Sequence, residues 1–152
     1  MTIYRERLHA GLGIYLAYAL LIPILVLIGA PFSWLLGVAT GVIVYVAVAV
    51  TITVMSPVVE LTETTFSAGR AKIGRNYIGS VSAFDGQAAR TERGMNLDAR
   101  AWTLFRTGVT GVVKIEITDD RDPAPYWLVA TRKPSELAEV LRRHRAESSG
   151  SN

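Results

Sequence analysis

The sequence predicts a membrane α+β protein: a two-helix transmembrane hairpin, then a small antiparallel β domain that ends in an amphipathic helix. Two observations predict this fold class. Half of the 152 residues are hydrophobic, yet no Asp, Glu, Lys or Arg occurs from Leu8 to Val59. From Glu60 onward lie all but two of the 16 basic residues and all but one of the 13 acidic residues. Because a soluble domain spreads its charges over its surface, this division excludes a single soluble domain.

The uncharged block divides into two segments, each long enough to cross a bilayer as a helix. A hydrocarbon core of roughly 30 Å requires about 20 apolar residues. The predicted spans are 8–30 and 32–55, and Pro31 between them disfavours helical geometry at the residue before it. Ser33 can cap the second helix, and Pro23 should bend the first. Such a short connection predicts two antiparallel neighbouring helices.

Two alternatives compete with this hairpin. The run Val46–Val54 alternates like a β-strand, but in lipid a lone hairpin of strands leaves backbone polar groups unsatisfied, which favours the helix. The first segment also resembles a signal peptide, with Arg5 and Arg7 as its basic start and small residues near Ala30 for cleavage. Its apolar run is longer than the usual stretch of about 7–15 residues. A second span follows at once, which favours retention of the first.

The positive charges predict the orientation of the hairpin. Arg5 and Arg7 precede the first span, basic residues follow the second, and the connecting loop has none. The positive-inside rule then places both termini in the cytoplasm. The predicted location is the inner (plasma) membrane, which the chain crosses twice.

Gly37 and Gly41 form a GxxxG motif, the candidate helix-packing motif of the hairpin. Such a motif lets two helices approach closely in lipid, and one interpretation is a homodimer. The alternative is packing inside the hairpin against small residues of the first helix, such as Gly13 and Ala17. We favour the alternative, because the hairpin already supplies a neighbouring helix.

From Val58 the pattern changes to short β-rich runs separated by Gly, Pro and Asp. Ile115 and Ile117 alternate with polar residues, which predicts one buried and one solvated face. Residues 85–93 are expected to form a short helix or an ordered loop. The predicted strands are 58–63, 65–68, 71–75, 77–83, 102–106, 112–118 and 127–131.

The last element is predicted to be an amphipathic helix. Pro134 suits a first helical turn, and Leu137, Val140 and Leu141 form an apolar stripe at helical spacing. After Ala146 the polar end is expected to be a disordered tail. The predicted organisation is therefore an N-terminal stub and hairpin over 1–57, a cytoplasmic β domain over 58–146 and a tail over 147–152.

Several segments together resemble an actinobacterial membrane family catalogued as domain of unknown function 3093. They are Tyr4–Leu8, the helical hairpin, Ala88–Arg90, Asp122–Val129 and Thr131–Leu137. The resemblance covers nearly the whole chain and implies an inner-membrane protein, without catalytic residues to carry over. More loosely, the strand series and final helix resemble bacterial pleckstrin-homology-like domains, which would make the β domain a split barrel. A likeness of fold does not establish function.

Motifs that carry chemistry are weak in this sequence. Without cysteine the chain has no disulfide, thiol nucleophile or cysteine-ligated zinc site. The segment Gly69–Asn76 has the glycine spacing of a P-loop but lacks its Lys-Ser/Thr ending, so a basic β-turn is the better interpretation. His9 and His144 lack carboxylate partners placed for a metal or acid–base site. We expect no enzyme activity, no cofactor and no metal.

The basic residues after the second span are the candidate binding site. Arg70, Lys72 and Arg75 follow Met55 closely, so a short tether would hold them near anionic lipid headgroups. Ordinary solvation and the positive-inside effect explain the same residues equally well. The small positive excess of the domain argues against nucleic-acid binding.

Two hypotheses of function follow. The first is a non-catalytic scaffold or accessory subunit whose cytoplasmic domain docks other membrane or cytoplasmic proteins. The second is a membrane-tethered sensor that binds anionic lipid or a small ligand through the basic residues. Exposed aromatic side chains, such as Trp102 or Tyr126 with Trp127, would favour docking. A cavity lined by convergent basic groups would favour the sensor.

Overall fold

The structure, a computed structural model, describes residues 2–149, and their side chains as far as residue 145. The chain forms two compact units. One unit, called the β domain below, combines Met1–Leu8 with Pro57–Asn152. The other unit, His9–Ser56, is the helical hairpin.

The hairpin contains two long apolar helical segments, as predicted. The first is α1 (Leu12–Ala19) followed by α2 (Leu21–Gly29), and the second is α3 (Trp34–Val54). The interruption at Leu20 lies three residues before Pro23, whose ring nitrogen has no hydrogen to donate to the preceding turn. Ser33 is the N-cap residue of α3, but its side chain makes no capping hydrogen bond. The helices are shorter than the predicted 8–30 and 32–55.

Gly37 and Gly41 lie where α3 approaches α2, inside the hairpin. A Cβ atom at Gly37 would lie 2.9 Å from the carbonyl oxygen of Val26, and one at Gly41 would lie 3.3 Å from that of Ile22. Any side chain at Gly37 would therefore push the helices apart. The motif packs against Val26 and Ile22, whereas Gly13, an expected neighbour, would have nothing within 4 Å of an added Cβ atom.

Most of the apolar surface of these helices is uncovered. No residue of α1 or α2 is buried, and the buried residues of α3 are Gly37 and Gly41. Both segments are long and apolar enough to cross a membrane, with a mean hydropathy of 2.4. A polar contact joins the two segments where the Tyr15 hydroxyl lies 3.1 Å from the Thr53 hydroxyl.

The first sheet of the β domain is antiparallel, in the order β1-β2-β3-β4. The turn between β3 and β4 is tight, and Gly69 in it adopts a φ of 63°, which favours glycine. The sheet includes a strand that the sequence analysis placed in an N-terminal stub. Its strands are β1 (Thr2–Arg7), β2 (Val58–Thr62), β3 (Thr65–Ala68) and β4 (Ala71–Gly74).

Strand β1 pairs with β2, although the whole hairpin separates them in sequence. Arg7 lies opposite Val58, and the Leu8 amide donates to the Pro57 carbonyl oxygen at 2.9 Å. Leu8, predicted to begin the first span, is instead fully buried in the core of the β domain. The N-terminal segment is therefore part of this domain.

The second sheet has the order β5-β7-β8-β6. Its edge strand β6 runs parallel to β8, so this sheet is mixed, where the sequence predicted antiparallel strands throughout. The short helix expected over 85–93 is α4, and the Asp85 side chain accepts a hydrogen bond from the Gly86 amide at its start. The elements are β5 (Ile78–Phe84), α4 (Gly86–Arg93), β6 (Trp102–Leu104), β7 (Val112–Ile117) and β8 (Tyr126–Ala130).

Residues from both sheets and the last helix share one hydrophobic core. Phe66 of the first sheet and Trp127 of the second have ring centroids 6.2 Å apart. Leu137 and Leu141 of the terminal helix α5 (Pro134–Ser149) complete this core, as the apolar stripe predicted. Helix α4 covers the opposite face of the second sheet, where Ala89 packs in a smaller cluster.

The terminal helix runs three residues beyond the predicted end at Ala146. A disordered tail was predicted over 147–152. Residues 147–149 are helical instead, and residues 150–152 lie outside the described residues.

We expect Leu8→Ala to lower the free energy of unfolding of the β domain by about 2–5 kcal/mol, because it leaves a cavity in the core. The change is measured by the fluorescence of the buried Trp127 during denaturation in mild detergent, in a background in which Trp34→Phe and Trp102→Phe remove the other two signals. Leu12→Ala is the matched control, since Leu12 is 73% exposed. Equal effects of the two substitutions would contradict the assignment of the N-terminal segment to the domain.

Candidate functional site

The three basic residues predicted to contact lipid differ in their exposure and in their contacts. Arg70 and Lys72 are exposed on the β3–β4 hairpin, and their contact with lipid stays a prediction. Arg75 is half-buried, and its guanidinium donates to the carbonyl oxygen of Glu63 at 2.7 Å and to that of His144. Both terminal nitrogens of Arg75 therefore donate to backbone carbonyl groups, one just after β2 and the other in α5.

A groove between β1 and the start of α5 is lined by more polar groups than the predicted lipid-contact site contains. It is open to solvent and has a volume of about 450 Å³. Three basic side chains line it, together with two carboxylates, and none of the predicted lipid-contact residues does. Its lining residues are Ile3, Tyr4, Arg5, Glu6, Arg132, Lys133 and Glu136.

Glu6 is the centre of the hydrogen bonds in this groove. One carboxylate oxygen accepts from the Tyr4 hydroxyl at 2.9 Å and from the hydroxyl of Thr131. The other accepts from the Arg132 amide at 3.0 Å. Thr131 is fully buried, and its oxygen also accepts from the Lys133 amide. These bonds fasten β1 to the segment that leads into α5.

The electrostatics of the groove follow from these contacts. Burial, reinforced by the adjacent Glu6 carboxylate, raises the pKa of Tyr4 to about 12, so its hydroxyl keeps its proton. Lys133 and Glu136 form an ion pair at 2.8 Å, which raises the pKa of Lys133. Both carboxylates of the groove therefore already have donors, and the three cations leave a positive excess.

A second recess lies beside the edge strand β6. It has a volume of about 280 Å³ and is mostly apolar, with Trp102 and Trp127 among its lining residues. The two indole rings have centroids 6.4 Å apart. Trp102 is 36% exposed, whereas Trp127 is buried, so Trp102 is the aromatic side chain that this recess presents to solvent.

A charged cluster fastens α4 to the second sheet. The Lys114 ammonium lies 3.0 Å from a Glu92 carboxylate oxygen and 4.3 Å from the centre of the Tyr126 ring. The Asn96 side chain donates to the other Glu92 oxygen at 2.7 Å. The hydrogen bond from Asn96, with that from Lys114, lowers the pKa of Glu92 against the opposing effect of burial. Lys114 lies on the face that the sequence predicted to be solvated.

Arg93 makes a second polar attachment of α4. Its guanidinium donates to the carbonyl oxygen of Val109 at 2.7 Å and lies 5.3 Å from the centre of the Phe105 ring. Burial lowers the pKa of Arg93. These contacts hold the loop before β7 against α4.

Among the side chains that the structure describes, as far as residue 145, no group of three or more His, Asp or Glu is placed to hold a metal ion. The groove was not predicted as a site from the sequence. Tyr4 and Glu6 were not expected to line a site, because their segment was predicted to be an N-terminal stub of the hairpin. The sequence did contain one signal of a strand here: Tyr4, Glu6 and Leu8 occur at every second position, so in a strand they share one face.

The comparison with known families shows the family to which the chain belongs. The sequence model of the family described as "Protein of unknown function (DUF3093)" matches residues 3–141. The chain belongs to the DUF3093 family. The match begins in β1 and ends in α5, so the family region includes both walls of the groove in this DUF3093 protein. No curated protein and no solved structure matches it.

We expect Glu92→Gln to lower the free energy of unfolding of this DUF3093 protein by about 1–3 kcal/mol near pH 7, because Lys114 loses its charged partner. Since the pKa of Glu92 is lowered in the folded state, its stabilisation is present above the ordinary value of about 4.5. It is lost as the pH falls through the lower pKa of the folded domain.

The difference between the two proteins in chemical denaturation should therefore shrink at acidic pH. Glu139→Gln is the control, because Glu139 forms an exposed pair with Arg143 on α5. A difference that stays constant from pH 7 to pH 3 would show that the charge of Glu92 is not what stabilises the domain.

Proposed function

We propose that the chain is a non-catalytic integral membrane protein, a scaffold or accessory subunit that presents a cytoplasmic docking domain. The observation that carries the proposal is the uncovered apolar surface of α1, α2 and α3. The β domain has a complete core of its own, made without any residue of these helices. A bilayer is the partner that fits helices of this length and hydropathy.

The pairing of β1 with β2 supports an even number of crossings. Residues 2–7 and 58–62 form one antiparallel ladder, so both ends of the hairpin lie on the same side of any membrane that it crosses. The pairing also supports retention of the first helix. Cleavage near Ala30 would separate β1 from the domain and remove Leu8 from its core. With the positive-inside rule, these observations favour two cytoplasmic termini.

Docking rather than chemistry is supported by the surface of the domain. Trp102 lies at an apolar recess, and large aromatic residues are common anchors at protein interfaces. Glu92 and Arg93 are charged, but their contacts hold α4 to the rest of the domain. The split-barrel likeness to pleckstrin-homology-like domains remains part of this proposal; its support is two four-stranded sheets closed by a C-terminal helix.

The topology can be tested with single cysteines, because the chain has none of its own. We expect a membrane-impermeant maleimide to label Ser33→Cys in intact cells and to leave Ser149→Cys unlabelled. Ser33 suits the substitution, since its side chain makes no capping bond. Permeabilised cells, in which both variants should react, provide the control. The proposed topology would be refuted if Ser149→Cys is labelled in intact cells. It would also be refuted if the mass of the mature protein shows that the first helix has been cleaved off.

A second candidate function is the membrane-tethered sensor of anionic lipid. The exposure of Arg70 and Lys72 favours it, whereas the structural position of Arg75 removes one of the three predicted contacts. Two exposed cations near a bilayer gain about 1 kcal/mol each.

In nanodiscs that contain phosphatidylglycerol, we expect amide exchange in the β3–β4 hairpin to be slower than in neutral nanodiscs. The effect should fade at high salt, since exposed charges are screened. It should disappear in Arg70→Gln/Lys72→Gln and persist in the control Arg143→Gln, which removes an exposed charge from α5. Equal exchange in both lipids would reject the sensor function.

A further inference from the structure

The free edge of β1 is the most unusual feature of the groove. In the first sheet, β1 is an outer strand, and its described sheet partner is β2 alone. Consecutive residues Ile3–Glu6 of this strand form one wall of the groove. The opposite wall comes from Arg132, Lys133 and the first turn of α5. An exposed strand edge beside a groove is a template for another strand.

The ladder shows which backbone groups face this groove edge. The Leu8 amide donates to the Pro57 carbonyl across the pair. Hydrogen-bonded and non-hydrogen-bonded pairs alternate along an antiparallel ladder. Tyr4 and Glu6 therefore direct their backbone groups toward β2, and Arg5 directs its N–H and C=O away from it. The backbone of Arg5 is thus placed to accept and donate to an added strand.

The charges of the groove select the kind of strand. Arg5, Arg132 and Lys133 outnumber Glu6 and Glu136, and both carboxylates already accept hydrogen bonds or an ion pair within the domain. The charges along β1 would repel a basic strand and attract an acidic one. Arg5 itself is exposed, so its side chain reaches solvent beside the strand edge.

We propose that the groove binds an extended acidic segment of a partner protein, which adds to β1 as a further strand. The proposal rests on the docking function proposed above and names its surface and the chemistry of its partner. Main-chain hydrogen bonds at the β1 edge provide affinity, and acidic side chains contact Arg5 beside that edge. A lipid headgroup would use the charges but not the strand edge, which is why the edge favours a peptide.

The test uses the full chain in neutral phosphatidylcholine nanodiscs and a defined probe, the acetylated peptide Glu-Thr-Glu-Val-Glu-Thr-Glu. Two matched peptides are compared with it. One has Lys in place of every Glu, and the other is N-methylated at every backbone nitrogen, which keeps the charges and removes the N–H donors from both edges of the peptide. Hydrogen exchange at single-residue resolution is followed at peptide concentrations up to several millimolar.

We expect the acidic peptide to slow exchange of the Arg5 amide at least tenfold, and the other two peptides to leave it unchanged. Arg5→Gln should weaken the binding of the acidic peptide roughly two- to fivefold, the range of an exposed ion pair. The matched control Arg143→Gln, which removes an exposed charge from α5 outside the groove, should bind as the unchanged protein does.

Two outcomes would overturn the proposal. If the Arg5 amide is not protected by the acidic peptide, or is protected equally by the lysine peptide, the edge does not accept an acidic strand. If the N-methylated peptide or free phosphate protects the groove as well as the acidic peptide does, the groove is a simple anion site. Either outcome leaves the labelling pattern of Ser33→Cys and Ser149→Cys unaffected, so it is distinguishable from a failure of the proposed topology.

Discussion

The pairing of β1 with β2 is the constraint on which the rest of the structure depends. It brings Leu8 into the core, and it sets the Leu8 amide against the Pro57 carbonyl at the two ends of the hairpin. It also presents Tyr4 and Glu6 to Thr131, which links the first strand to the segment that starts α5. Without this pairing, β2 would be an exposed edge and the groove would lose one wall.

The sequence predicted the parts of the fold whose signals are local. The length of the apolar block and its lack of charge predicted both helical segments, because few other structures suit such a sequence. The seven predicted strands after Val58 are all present within one or two residues of their limits, since turn residues separate them clearly. Strand β1 was missed because its partner is distant in sequence, and a short polar segment before a hydrophobic one looks like a stub.

The candidate site was harder to predict, because a contact does not follow from residue type. Arg75 looked equivalent to Arg70 and Lys72, yet its donors satisfy two backbone carbonyl groups. Lys114 lies on a face expected to be solvated, but α4 covers that face and supplies Glu92. Polar residues that bury themselves in pairs resemble surface residues in a sequence, and only their tertiary partners distinguish them. The parallel pairing of β6 with β8 likewise has no local signal.

The position of β1 also sets an order of events during synthesis. This strand is translated before the hairpin, but its ladder partner Val58–Thr62 is translated only after all of α1, α2 and α3. Strand β1 must therefore wait, unpaired with β2, until α1, α2 and α3 have been synthesised. If these helices cross a bilayer, the sheet closes only when the second helix has returned the chain to its starting side. In that case, a hairpin whose two ends lie on opposite sides of the bilayer could not pair β1 with β2, and the β domain would stay incomplete.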